Sequence, residues 1–118
     1  MKTEKILLTV TVLAAAALTR FRMVGHDGNV PDANDPVLGV ANADYAAGEQ
    51  AGVAVHGEIL VEAGGPIDVG GPINTDSVGR AVASFTGERI CGIARDAASA
   101  AGDVIRMIAI PTGSDQSE

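Results

Sequence analysis

Few residues of this chain have both the type and the spacing to do chemistry. His56 and Glu58 stand two apart in a stretch that reads as extended, so both side chains leave one face and could form half of a metal site. A zinc site usually takes three or four protein ligands, which favours a solvated strand face instead. His26 shares the loop Gly25 to Pro36 with Asp27, Asp32 and Asp35. That loop has the composition of a calcium site but lacks the Asp-x-Asn-x-Asn-Gly order and the closing Glu, so it reads as a solvated turn. Gly64 to Gly71 places Pro66 where a phosphate cradle needs amide donors, and no Lys-[Ser/Thr] follows it. Ala83-Ser84-Phe85-Thr86-Gly87 lacks the first glycine of a nucleophile elbow. The single cysteine, Cys91, rules out an intrachain disulfide, and its apolar neighbours make it a small buried hydrophobe. No catalytic constellation emerges, and the expectation is a protein that is not an enzyme and takes no cofactor or metal.

The elements that hold these residues are short strands. Cys91 to Ile110 reads as strand, small-residue turn, strand, and Leu38 to Val55 is an earlier copy. Gly39-Val40-Ala41 answers Gly92-Ile93-Ala94, and Ala46-Ala47-Gly48-Glu49 answers Ala100-Ala101-Gly102-Asp103. The same order at nearly the same spacing indicates a weak two-fold internal repeat. Gly48 and Gly102 sit where the chain enters a strand, and a residue free to take positive φ is useful there. The final strand Val104 to Ile110 is expected to be core, so that Ile108→Asp prevents folding, with Pro111 as its stop.

Elsewhere, Leu8-Thr9-Val10-Thr11-Val12 alternates with β-branched residues and predicts a strand, and Thr19 to Val24 alternates again. The opening Met1 to Leu18 imitates a secretory signal, but the strand reading is preferred, and its 13-residue apolar run Ile6 to Leu18 falls short of the roughly 20 that span a bilayer. Val53, Val55, Gly57, Ile59 and Val61 share one strand face, with Gly57 marking a bulge or a close backbone approach. The repeated Gly-Gly-Pro-Ile at 64–67 and 70–73 is assigned to a sheet edge or an extended loop. Arg80 to Phe85 is expected to form a hairpin with Arg89 to Ala94, and Asp96 to Ala101 has room for one helical turn. The fold class is therefore all-β, a small single-domain barrel or sandwich with Gly-rich turns. It spans 1–110, including an N-terminal strand or arm at 1–25, with a polar tail at 111–118.

Composition bounds the partners. The 118 residues carry a net charge of −7, which excludes nucleic acid, and no segment argues for a membrane. Residues 1–25 hold Lys2, Lys5, Arg20 and Arg22 against Glu4, a basic edge on an acidic body suited to docking on an acidic surface. With three aromatic residues and 15 glycines, a lone monomer buries little, so association would supply the missing burial.

A resemblance adds to this. Leu8-Thr9-Val10-Thr11-Val12 with its following Ala run comes first, then Arg22-Met23-Val24-Gly25-His26-Asp27-Gly28 before a Pro/Asn loop, Leu38-Gly39-Val40-Ala41 and Val55-His56-Gly57. Val61-Glu62-Ala63-Gly64, Gly79-Arg80-Ala81-Val82 and Gly92-Ile93-Ala94 follow in order. From Ile6 to Ile110 the chain resembles the capsid cement or decoration proteins of tailed bacteriophages. The resemblance implies a virion protein on the outer surface of an expanded capsid that clamps neighbouring major capsid subunits. It also implies a homo-oligomer, a trimer ahead of a dimer. Lys2, Lys5, Ile6, Leu8, Val10, Arg20 and Arg22 are the candidate capsid or oligomer interface. The alternative is a non-enzymatic adaptor module for a fibre or glycan, using the loops Gly25 to Pro36 and Gly64 to Thr75. The absence of Trp weighs against a glycan platform.

Overall fold

The computed structural model describes residues 4–85 and 87–115. They form eight strands and, among the described residues, no helix: β1 (Lys5–Leu13), β2 (Met23–Val24), β3 (Gly39–Ala41), β4 (Gln50–Glu62), β5 (Pro72–Thr75), β6 (Ala81–Ala83), β7 (Arg89–Ala94) and β8 (Val104–Asp115). The sheet runs β2-β3-β4-β8-β7-β5-β6, with β1 paired to β4 off this path. Its two ends come together where the Met23 amide donates to the Gly79 carbonyl at 2.7 Å, just before β6. The all-β expectation holds, and the architecture is a nearly closed antiparallel barrel.

The internal repeat is larger than its glycine motifs suggest. The β1–β4 pairs Leu13↔Gln50, Val12↔Ala51, Thr11↔Gly52, Val10↔Val53 and Thr9↔Ala54 are matched in order by Glu62↔Val104, Val61↔Ile105, Leu60↔Arg106, Ile59↔Met107 and Glu58↔Ile108 between β4 and β8. Likewise Met23↔Val40 and Val24↔Gly39 match Pro72↔Ile93 and Ile73↔Gly92, and the bridge Leu18↔Tyr45 matches Ile67↔Ala98. Two units therefore share β4: its first half closes one, and its second half opens the next.

The cores repeat as well. Ala14, Leu18, Val24, Ala41, Ala51 and Val53 form a smaller cluster, and their counterparts Ala63, Ile67, Ile73, Ala94, Ile105 and Met107 lie in a larger one. A glycine is demanded at matching places. A Cβ on Gly39 would lie 2.2 Å from the Ala54 carbonyl oxygen, and one on Gly92 would lie 2.9 Å from that of Ile108. These contacts are closer than a methyl group tolerates, which explains why Gly-[Val/Ile]-Ala survives in both copies.

β4 buries Val53, Val55, Ile59 and Val61 as the alternation predicts, and Ala54 beside them. Gly57, at φ 105°, is both a bulge and a close approach, since a Cβ there would lie 2.2 Å from the Lys5 carbonyl oxygen.

Several expectations are corrected. Thr19 to Val24 is not one strand: the Arg22 amide donates to the Thr19 carbonyl and Phe21 takes φ 69°, so only Met23–Val24 is extended. β6 pairs with β5, and β7 pairs with β5 and β8, so β5 sits between the two strands expected to form a hairpin. The second Gly-Gly-Pro-Ile thus lies inside the sheet, with Pro72 tolerated as the first residue of β5 and Ile73 fully buried. Asp96 to Ala101 is irregular, with Ala98 bridged to Ile67, rather than a helical turn. β8 continues through Pro111 to Asp115, pairing Ile90↔Ser114 and Arg89↔Asp115. Ile108 is 41% exposed, while Ile105 and Met107 carry the β8 core.

Candidate interaction surface

β1 is held from one side only. It pairs with β4 from Lys5↔Glu58 to Leu13↔Gln50, and among the described residues no strand pairs its outer edge. Val10 and Val12 pack on the smaller core, which follows from the Leu-Thr-Val-Thr-Val alternation. Between Ile6↔Gly57 and Leu8↔His56 the register slips, and Leu7 is the extra residue. It is 81% exposed, the largest value among the big apolar side chains. Ile6, Leu8 and Leu13 are exposed too, so β1 presents an apolar edge to solvent.

The structure brings together Lys5, Ile6, Leu8 and Val10 of the candidate interface, all on β1, with Val10 turned inward. Lys2 lies outside the described residues. Arg20 is exposed away from β1, with its amide on an Asp44 carboxylate oxygen at 2.8 Å and its guanidinium 4.5 Å from the Phe21 ring centre. Arg22 is engaged internally, 3.3 Å from Glu62, which also meets Arg80 at 3.6 Å. Since Glu62 lies four residues past the Lys5 partner Glu58, about 13 Å along the strand, Arg22 stands apart from the start of β1. Sequence reasoning missed Leu7, because period two assigns it to neither face once the strand bulges.

Where β1 and β8 diverge from β4, a groove of about 690 Å³ is lined by Lys5, Leu7, His56, Glu58, Arg95 and Ile108, among others. Glu58 is engaged there by Arg95 at 2.9 Å and Arg106 at 3.9 Å, and Arg106 meets Asp96 at 2.9 Å. Glu58 is thus committed to an ion-pair cluster while His56 only lines the groove, and among the described residues no three His, Cys, Asp or Glu side chains gather as metal ligands. In the Gly25 to Pro36 loop the carboxylates build the turn. Asp27 accepts the Asn29 backbone and side-chain amides, which hold its carboxyl below the usual range, and Asp35 accepts the Asp32 amide.

Cys91 is buried, and its thiol donates to the Ile73 carbonyl at 3.2 Å. Burial pushes its pKa up to about 12, so the reactive thiolate is suppressed near neutral pH. At pH 8 the folded protein is expected to leave Cys91 unlabelled by a thiol reagent and to react fully in denaturant. Labelling of the native protein at the denatured rate would contradict this burial.

The family model of the phage cement proteins matches residues 1–109. The chain belongs to the phage cement protein family. This cement protein is accordingly a structural protein of a phage virion. Its fold is similar to the crystal structure of the head fibre gp8.5 N base of bacteriophage phi29, at 22% identity and a TM-score of 0.70. That match covers 90% of the cement protein and 96% of the phi29 chain. No curated protein matches the sequence significantly.

Proposed function

We propose that this cement protein acts without catalysis on the outer surface of an expanded capsid, as a homo-oligomer that clamps neighbouring major capsid subunits through β1. The observation that carries this reading is the open edge of β1: nine residues, apolar, with no proline and with its charge at the Lys5 end. Proteins normally guard such edges with short length, charge or proline, because an open row of amides and carbonyls pairs with any extended segment. An added strand would gain main-chain hydrogen bonds, and Leu7 and Leu8 would be buried beside it. Lys5, at the start of β1, suits an acidic docking surface. A ligand that binds only the assembled shell stabilises it by mass action, and many copies multiply the effect. The head fibre base of phi29 favours a second reading, an adaptor that seats a fibre on the capsid.

The test is to mix the purified protein with bare expanded capsids and image its position. Removal of residues 1–12 is expected to abolish decoration. Truncated protein that still decorates at full occupancy would show that β1 is not the docking element.

A further inference from the structure

The turn before β2 is built twice in this chain. The Arg22 amide donates to the Thr19 carbonyl at 3.1 Å, and in the second unit the Gly71 amide donates to the Asp68 carbonyl at 3.0 Å. In both turns the third residue takes positive φ and donates its own amide to a matching carbonyl, Phe21 at 69° to Ala41 and Gly70 at 80° to Ala94. Glycine is the ordinary choice at such a position, and a bulky side chain there is a strained outlier. Backbone hydrogen bonds hold the Phe21 turn in place, since the Phe21 carbonyl also accepts the Glu62 amide at 2.8 Å. The ring itself joins neither core cluster, although Phe21 is half-buried; Tyr45, equally half-buried, packs on the smaller one. Strain kept where no core packing requires it points to a surface role.

Arg20 supplies the rest of that surface. Its guanidinium lies over the Phe21 ring and, among the described residues, meets no carboxylate, whereas those of Arg22, Arg80, Arg95 and Arg106 each meet one at 2.9–3.6 Å. A guanidinium stacked on a ring still presents its planar fork of N–H donors to a bidentate acceptor. The turn also continues the line of β1. The Leu60 and Glu62 amides leave the same edge of β4, and they are taken by the Glu4 carboxylate, just before β1, and by the Phe21 carbonyl. Those two amides are two residues apart, about 7 Å along the strand.

We infer that Arg20 and Phe21 form a second docking point, at which the protein grips a surface carboxylate of the shell. Arg20 takes the carboxylate in a bidentate pair, and the Phe21 ring packs against the apolar surface beside it. The carboxylate is argued from charge, because Arg20 is held out on its ring without an acidic partner. The shell is argued from position, because a surface that reaches the start of β1 runs on along the same edge to this turn. The inference rests on the shell-docking reading above but puts binding at residues outside β1, so the two fail separately.

The test is decoration of bare expanded capsids by the full chain across a concentration series, beside thermal melting of each variant. Phe21→Gly is expected to melt at or above the wild type, because the strain is relieved, and yet to bind at least about tenfold more weakly. Phe21→Ala loses the ring but keeps a Cβ at positive φ, so it is expected to melt below Phe21→Gly and to bind as weakly. Arg20→Gln is expected to melt like the wild type, to bind more weakly, and to lose less affinity than the wild type when salt is raised. The inference alone is overturned if Phe21→Gly or Arg20→Gln decorates with wild-type affinity, or if Phe21→Gly melts well below the wild type, which would make the ring a folding residue. It is also overturned if Arg20→Gln decorates normally but changes the oligomeric state, which would place a second copy at this turn. A wild type that leaves the capsids bare overturns the shell-docking reading and this inference with it.

Discussion

Met107→Asp is expected to leave no folded protein, whereas Ile108→Asp is expected to remain soluble and folded. The two positions are adjacent on β8, but Met107 is 1% exposed within the larger core and Ile108 is 41% exposed on the opposite face. A carboxylate at Met107 would be buried without a partner among aliphatic side chains, a cost on the order of 5 kcal/mol, comparable to the whole stability of a small domain. At Ile108 the new carboxylate reaches water, and the cost is about 1 kcal/mol. Circular dichroism and thermal melting of both variants decide the matter. A cooperative melt for Met107→Asp, or none for Ile108→Asp, would show that the faces of β8 are assigned the wrong way round.

Gly57→Ala should be nearly as damaging, by a different route. The new methyl group would lie 2.2 Å from the Lys5 carbonyl oxygen, and the residue would have to keep φ at 105°. The strain of the backbone alone is about 1–3 kcal/mol, and the clash adds to it unless β1 moves away. The expected result is loss of amide protection over Lys5–Leu13 in hydrogen exchange, together with a lower melting temperature. Gly102→Ala separates the two causes. Gly102 has φ 95° but open space where a Cβ would lie, so only the conformational cost applies, again about 1–3 kcal/mol. Equal effects at the two glycines would mean that β1 does not press on Gly57.

Local signals in this sequence were legible where local physics decides the outcome. Alternation in Leu8 to Val12 and in Val53 to Val61 reported true strands, and the Ala-Ala-Gly-acid turns reported true positive-φ glycines at 48 and 102. What failed was pairing. Arg80 to Phe85 and Arg89 to Ala94 look like hairpin partners because they are close in sequence, yet β5 intervenes, and nothing within either segment encodes that. Ile108 was misassigned for a related reason: apolar residues run almost without a break from Met107 to Ile110, so alternation gives no parity to read. The candidate interface divided in the same way. Ile6 and Leu8 were visible as β1 residues, Leu7 was hidden by a bulge that depends on Gly57, and Arg22 was withdrawn by Glu62 from forty positions away.

β8 follows every other described strand in the chain but lies in mid-sheet, between β4 and β7. On a ribosome, the first unit has all its strands once Glu62 has emerged, whereas Ile59 to Glu62 gain their paired strand only when β8 arrives. The nascent chain therefore passes through an interval in which the cross-strand row Met23, Val40, Ala54, part of the larger core, is bare. That interval ends when the second unit closes over it, and a translation pause between β4 and β8 would lengthen the time in which nascent chains can stick to one another through that row.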